Sequence, residues 1–150
     1  MNGKTGRLLI VTGLPGAGKT HRINNIIRQQ ITGLCIHDFH ADAIGHSPEV
    51  KNSRHFIAAI EALMSGHDCV IADIEFCHTE RRDAVAETFQ SDIPGIEIEY
   101  HCLKNQLQRC ISNIKKRSRH NMPEEIEKAE ILSKVYEIPA GAIEHDVWQE

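Results

Sequence analysis

The sequence predicts an α/β fold in which a doubly wound, mostly parallel sheet carries helices on both faces. Three observations predict it. Short apolar runs alternate along the chain with amphipathic helical patterns, which is the order expected of repeated βα units. One run, Cys69-Val70-Ile71-Ala72, is continuously apolar, as a parallel strand buried on both faces should be. A glycine-rich segment directly after the first apolar run has the spacing of a phosphate-binding loop.

Four strands and five helices are expected in the order β-α-β-α-β-α-β-α-α. The strands fall at residues 7–12, 34–37, 68–72 and 95–102. The helices fall at residues 19–30, 53–65, from Thr79 onward, 104–119 and 124–137. Thr79 has the character of an N-cap, and Pro123 suits the first turn of the last helix. The fourth strand alternates apolar and polar residues, which favours a position nearer an edge of the sheet.

The composition favours a single domain, residues 1–150, with one α/β core. No apolar run approaches the roughly 20 residues that span a bilayer, and no apolar segment of a secretory signal follows the N-terminus. Five scattered cysteines without a CxxC pair favour a reducing, cytoplasmic location. We therefore expect no membrane partner, and the composition leaves the oligomeric state open.

Two adjacent pairs, Cys77-His78 and His101-Cys102, contain residue types that bind zinc. Their spacing lacks the short paired loops of structural zinc sites. The second pair lies in a predicted strand, where adjacent side chains point to opposite faces. A zinc site is therefore not expected.

One segment fits G-x-x-x-x-G-K-[ST] at every fixed position: Gly13-Leu14-Pro15-Gly16-Ala17-Gly18-Lys19-Thr20. Its glycines let the backbone turn so that successive N–H groups face phosphate oxygens. We expect Lys19 to reach the β- and γ-phosphates and the Thr20 hydroxyl to bind Mg²⁺. The helix that follows turns its positive end toward the same anion. A glycine-rich turn without a ligand is the alternative, and the strand–loop–helix context argues against it.

Acidic residues follow the second and third predicted strands. Asp73 ends the run 69–72, which is the Walker-B position for a carboxylate that holds Mg²⁺, with Glu75 as a weaker candidate. The alternative for Asp73 is a residue that only caps the next turn. Asp38 follows the second strand, where a carboxylate can accept the proton of a substrate hydroxyl. Its alternative is a loop aspartate that bonds to its own backbone, and the flanking histidines, His37 and His40, are most simply surface residues.

Residues 104–119 hold six Lys or Arg and no Asp or Glu. The basic run Lys115-Lys116-Arg117-Ser118-Arg119 falls between two predicted helices. A cationic lid that closes over a triphosphate would have this character, with Arg117 and Arg119 as the candidates for nucleotide contact. An exposed basic helix end, favoured by the helix dipole, is the alternative.

These residues resemble the kinase domain of phage-type polynucleotide kinases and their small P-loop relatives, over most of the chain. The most specific block has three parts: Val70-Ile71-Ala72-Asp73, Thr79-Glu80-Arg81-Arg82 and Glu87-Thr88-Phe89. The glycine-rich segment resembles the P-loop of that family. The basic segment near Arg117, followed by Pro123 and a helix with Tyr136, resembles its lid.

The resemblance implies a P-loop NTPase fold with a helical lid, and transfer of the γ-phosphate of ATP to a hydroxyl with Mg²⁺ as cofactor. In polynucleotide kinases the acceptor is the 5′-hydroxyl of a nucleic acid. By position, Asp38 matches the general base, Lys19 and Thr20 match the phosphate and Mg²⁺ contacts, and Arg117 matches the lid arginine.

The chain departs from the family pattern mainly on the acceptor side. Ala41 stands where the family has an arginine that contacts the substrate phosphate, and Asn113-Ile114 replaces an Arg-Asn pair. The segment between Asp38 and Ser53 is short, and no broad basic groove is evident beyond the lid. Kinase activity on a nucleoside or another small molecule is therefore an alternative. An ATP-binding regulatory module, or an ATPase without an acceptor, is an alternative of another class.

Overall fold

The computed structural model describes residues 4–31, 33–37, 39, 54–117 and 120–148. Its strands are β1 (Leu8–Thr12), β2 (Gly33–Ile36), β3 (Asp68–Ala72), β4 (Ile98–Leu103) and β5 (Ile143–His145). They form one parallel sheet in the order β2-β3-β1-β4-β5. The four predicted strands and their parallel arrangement are confirmed, and β5 is additional.

Among the described residues, five helices follow the order that the sequence predicts. They are α1 (Lys19–Arg22, a π-helical turn Ile23–Ile27, and Arg28–Gln30), α2 (Arg54–Met64), α3 (Thr79–Asp92), α4 (Leu107–Arg117) and α5 (Met122–Ser133). A 3₁₀ turn, Ile74–Cys77, lies between β3 and α3. Within the part of the chain that the structure describes, no helix is long and apolar enough to cross a membrane.

Strand β1 lies at the centre of the sheet and sends alternate side chains to two apolar layers. Leu8 and Ile10 pack in a layer with residues of α2 and α3, such as Phe56 and Phe89. Leu9 and Val11 pack in the opposite layer with α1 residues. Helices therefore cover both faces, and the alternation explains why every residue of β1 is buried.

The parallel register brings the carboxyl ends of β1, β3 and β4 to one edge of the sheet. Val11 pairs with Ala72 of β3, and Thr12 pairs with Cys102 of β4. The glycine-rich loop after β1 and Asp73 after β3 consequently emerge side by side. This is the edge at which open α/β sheets bind ligands.

Arg7 joins three strands near their amino ends, opposite the edge at which the glycine-rich loop lies. Its guanidinium lies 3.1 Å from a carboxylate oxygen of Asp68 and 2.8 Å from one of Glu99. Burial acts to raise the pKa of the Asp68 carboxyl, but hydrogen bonds from the Arg7 backbone and side chain outweigh it and lower that pKa. Since the first residues of β3 and β4 flank β1 here, the arginine holds the three strands in register.

Two predicted features of the helices are wrong. His78, not Thr79, occupies the N-cap position of α3 and makes no side-chain capping bond. The Thr79 hydroxyl instead accepts a hydrogen bond of 3.5 Å from Arg82 Nη2. The last helix ends at Ser133, because Tyr136 leaves the helix to bury its ring and bond to the ends of two strands.

The fourth strand lies near an edge of the sheet, as predicted, whereas the helix after it begins later than expected. β4 is followed in the sheet by β5, which pairs only with residues 101–103, so the first half of β4 has β1 as its one described neighbour. The Lys104 amide donates to the carbonyl of His145 at 2.8 Å, which extends the strand pairing. Helix α4 therefore begins at Leu107 rather than at residue 104.

Candidate active site

The glycine-rich loop between β1 and α1, hereafter the P-loop (residues 13–20), requires glycine at two positions. Gly16 and Gly18 have φ values of 83° and 94°, which L side chains rarely adopt. A Cβ on Gly16 would lie 2.4 Å from the carbonyl oxygen of Cys110. A Cβ on Gly18 would lie 2.6 Å from the Cβ of Trp148. The loop is thus packed tightly against α4 on one side and the chain after β5 on the other.

Lys19 lies over this loop with its ammonium folded back on it. Lys19 Nζ donates to the carbonyl oxygens of Gly13 and Leu14 at 2.8 and 3.0 Å. Burial is the main cause that lowers the pKa of Lys19, the nearby Arg117 lowers it further, and Asp73 opposes the shift. The charges of Asp73 and Arg117 are therefore close enough to act on the Lys19 ammonium.

Five of the predicted site residues line one cavity of about 200 Å³: Gly16, Gly18, Lys19, Thr20 and Arg117. The rest of its wall is formed by His21, Asn113 and Trp148. A second cavity of about 510 Å³ opens beside Lys19 and Arg117, toward α5 and the 3₁₀ turn. The structure thus places two concave surfaces next to the lysine, which is the arrangement that a donor site and an acceptor site need.

Asp73 is buried at the carboxyl end of β3, with 8% of its surface exposed. Its Oδ1 accepts a hydrogen bond of 2.8 Å from the Glu75 amide, so it caps the 3₁₀ turn. This is the alternative that the sequence left open. Carboxylate and hydroxyl oxygens are hard donors of the kind Mg²⁺ prefers, so Asp73 and Thr20 fit the cation chemically.

No group of three or more His, Cys, Asp or Glu is arranged to hold a metal ion in residues 4–31, 33–37, 39, 54–117 and 120–148. A Mg²⁺ site does not require such a cluster, because the cation is usually held by one or two protein oxygens together with substrate phosphates. The roles of Thr20 and Asp73 as metal ligands remain predictions.

Glu75, the weaker candidate for Mg²⁺, is engaged in ion pairs. Its carboxylate lies 2.8 Å from Arg81 Nη1, 3.2 Å from Lys128 Nζ and 3.4 Å from His78 Nε2. Arg81 belongs to α3, His78 is the N-cap residue of α3, and Lys128 belongs to α5. Glu75 therefore joins α5 to the 3₁₀ turn and lies poorly for metal binding.

Arg117 ends α4 and faces α5. Its guanidinium lies 3.6 Å from a carboxylate oxygen of Glu125, and its side chain is 30% exposed. The described part of the basic run 115–119 forms the end of α4, and Arg117 with residues of α5 contributes to the wall of the larger cavity. Its role as a lid remains a prediction. Asp38 and Arg119, the predicted general base and second lid arginine, lie outside the described residues, as do His40 and Ala41.

The sequence analysis missed two residues that hold the P-loop in place. Asn113 is 3% exposed, and its side-chain amide donates to the carbonyl oxygens of Gly16, at 2.9 Å, and Trp148. The backbone amide of Trp148 in turn donates to the carbonyl oxygen of Ala17 at 3.1 Å. The signal available for Asn113 was its position in a helix beside the buried apolar residues Cys110 and Ile114, where a polar side chain needs a partner inside the protein.

Tyr136 anchors the same edge of the sheet from below. Its hydroxyl donates to the Leu103 carbonyl at 2.6 Å and lies 2.9 Å from the Thr12 hydroxyl, the last residue before the P-loop. Burial raises the pKa of the Tyr136 phenol well above its usual range. The neutral phenol therefore joins the ends of β1 and β4.

No protein-family model and no curated protein sequence matches this chain. Solved structures match it along nearly its whole length. The crystal structure of APE1195 is 18% identical with a TM-score of 0.62, and the match covers 97% of this chain and 86% of that one. A gluconokinase from Sinorhizobium meliloti 1021 is 17% identical with a TM-score of 0.61, covering 99% and 86%.

A third match is the Mycobacterium tuberculosis APS kinase CysC in complex with AMPPNP and APS. It is 16% identical with a TM-score of 0.53, and the match covers 95% of this chain and 89% of that one. Likeness at these identities concerns the fold. The chain therefore has the fold of the P-loop kinases, as the sequence predicts, whereas the resemblance to polynucleotide kinases remains a prediction.

Proposed function

We propose that this protein is an ATP-dependent kinase that transfers the γ-phosphate to a hydroxyl acceptor. The observation that carries the proposal is that Lys19, Thr20 and Arg117 line one cavity at the P-loop, with Asp73 within electrostatic reach of Lys19. Phosphoryl transfer asks for little else from a protein than alignment of the reactants and neutralisation of phosphate charge.

Each of these residues has a role in the proposed reaction. Lys19 exchanges its two loop carbonyls for β- and γ-phosphate oxygens when ATP binds. Thr20 and Asp73 would hold Mg²⁺, which would supply positive charge that offsets the charge of the phosphates. The hydroxyl of the acceptor attacks the γ-phosphorus, its proton passes to the Asp38 carboxylate, and ADP leaves.

Arg117 is suited to neutralise the charge that spreads over the transferred group. Its ion pair with Glu125 is long, at 3.6 Å, and partly exposed, so the pair contributes little free energy. Arg117 can therefore leave Glu125 at little cost. A triphosphate carries more negative charge than one carboxylate. The guanidinium therefore moves from Glu125 to the phosphates as the site fills.

The acceptor remains to be chosen between a polynucleotide 5′-hydroxyl, a nucleoside and another small molecule. Two features support a small acceptor. The wall of the larger cavity contains Glu124 and Glu125 beside the cations Lys19, Arg117 and Lys128, so that its charge is mixed rather than the uniformly basic surface that favours a nucleic-acid backbone. Two of the structures with a similar fold are an APS kinase and a gluconokinase, whose names indicate small acceptors.

The direct test is incubation of the protein with γ-labelled ATP, Mg²⁺ and three acceptor classes: 5′-hydroxyl oligonucleotides, nucleosides and small polyols. We expect label on one class and none with Lys19→Ala. Lys134→Ala is the matched control, because this lysine is exposed and distant from the cavities. Circular dichroism establishes that both variants are folded. Free phosphate as the only labelled product would contradict the proposal and favour an ATPase or a regulatory module.

A further inference from the structure

Trp148 is a large apolar residue exposed beside the P-loop. It is the only tryptophan in the chain, and 43% of its surface is accessible. Its side chain forms part of the same cavity wall as Lys19, Thr20 and Arg117. An aromatic ring in this position offers a ligand a large, rigid apolar surface.

The backbone of Trp148 is fixed relative to the phosphate site. Its amide donates to Ala17 of the P-loop, and its carbonyl accepts from Asn113. Its Cβ lies so close to Gly18 that a methyl group there would approach it to 2.6 Å. The indole therefore begins directly above the third glycine of the loop, in reach of a group attached to phosphates bound below.

One face of the indole is already covered. The His21 ring stacks on it with 3.7 Å between centroids and 20° between planes. His21 Nδ1 lies 3.2 Å from Asn25 Nδ2 of the same helix, which fixes the imidazole. The accessible surface of Trp148 must therefore be the opposite face and the ring edges, which suits a second flat ring.

The other polar side chains of this cavity are committed elsewhere. Asn113 donates to two backbone carbonyls, and His21 is bonded to Asn25. Lys19, Thr20 and Arg117 face the proposed triphosphate. Among the described residues of this wall, Trp148 therefore offers the main surface on which a base can pack.

We infer that Trp148 selects the nucleotide donor by stacking on its base, so that purine triphosphates are preferred to pyrimidine ones while ATP and GTP bind alike. The inference rests on the proposed phosphate site at the P-loop. Stacking tolerates different bases because every base has a π-face, and larger rings cover more of the indole. Loss of one stacked base typically weakens binding about tenfold.

Calorimetric titration with Mg²⁺ and ATP, GTP, UTP or inorganic tripolyphosphate tests the inference. We expect Trp148→Ala to weaken ATP and GTP about tenfold, to affect UTP less and to leave tripolyphosphate unchanged. Trp148→Phe should retain most of the affinity. Ile143→Ala is the matched control, since Ile143 is equally exposed on β5 and lies outside the cavity.

The same tryptophan provides a second readout in the unmodified protein. ATP and GTP should quench its fluorescence at saturation, whereas tripolyphosphate should change it little. Equal losses of ATP and tripolyphosphate affinity in Trp148→Ala, or unchanged affinity for both, would overturn the inference. A tenfold preference of the wild-type protein for ATP over GTP would also overturn it.

These outcomes are separable from those for the proposed function. Unchanged ATP affinity in Trp148→Ala alongside label transfer to an acceptor removes the stacking role and leaves the kinase. Stacking of purine triphosphates without label transfer to any acceptor retains the role of Trp148 and removes the kinase.

Discussion

The side-chain amide of Asn113 donates a hydrogen bond of 2.9 Å to the carbonyl oxygen of Gly16. The same amide reaches Trp148, so one buried side chain joins α4, the P-loop and the chain after β5. Because the peptide unit is planar, fixing the Gly16 carbonyl also fixes the direction of the Ala17 amide. A residue that departs from the family pattern thus shapes the phosphate site.

Asn113→Asp should disturb this junction without changing its volume. The carboxylate cannot donate, and it faces two carbonyl oxygens in a buried position, so we expect about 2 kcal/mol of stability to be lost. ATP affinity should fall as the loop loses its support. Urea denaturation and calorimetry measure the two effects. Asn105→Asp is the control, because Asn105 is an exposed asparagine, and effects of equal size in both variants would contradict the assigned role.

Arg117→Ala should lower kcat more than it weakens ATP binding. The arginine is paired with Glu125 before the reaction, and its contribution lies in the charge of the transition state. We expect kcat to fall about tenfold or more, with ATP affinity reduced less. Steady-state kinetics beside equilibrium titration separates the two, and Arg109→Ala on the exposed face of α4 is the control. An unchanged kcat would remove Arg117 from the site.

Arg82→Met should destabilise the fold. Arg82 is 2% exposed and donates to the carbonyls of Phe76 and Glu137 at 3.2 and 3.1 Å. Methionine fills a similar volume but leaves these carbonyls without the guanidinium, which should cost about 3 kcal/mol. Chemical denaturation measures the loss. Arg81→Met removes the ion pair between Glu75 and an arginine side chain that is 40% exposed, and it should cost less than about 1 kcal/mol. A larger loss of stability in Arg81→Met than in Arg82→Met would refute this account.

Stability should fall on mild acidification because of His145. Burial, with Arg22 and His101 nearby, lowers its pKa from 6.5 to about 4. Between these pH values the unfolded chain binds a proton that the folded chain does not, so this contribution is complete above pH 6.5 and declines as the pH falls toward 4. His145→Gln should reduce the slope of unfolding free energy against pH. An unaltered slope in His145→Gln would contradict the assignment.

The central sheet could be predicted from the sequence because its signals are local. The apolar run at β3 is continuous, and its predicted and observed bounds coincide at Asp68–Ala72. β5 could not be found in this way. It has three residues, Ile143 and Glu144 are exposed, and its pairing depends on β4, which lies 40 residues away.

The same distinction holds for the candidate site. The loop and Lys19 form a local motif, so they were accessible to sequence reasoning. Asn113 bonds to Gly16, 97 residues away in the sequence, and Trp148 bonds to Ala17, 131 residues away. Their roles therefore arise from contacts between distant segments of the chain. Tertiary contacts of this kind leave no periodic signal, and they decide how the loop is held.

The most direct measurement of the central claim compares the wild-type protein with Asp38→Asn for ATP binding and for label transfer from γ-labelled ATP. The account predicts that the variant binds ATP with wild-type affinity and transfers label at a small fraction of the wild-type rate, because the amide cannot accept the proton of the acceptor. Equal transfer by both proteins, or label released only as free phosphate by the wild type, would contradict it.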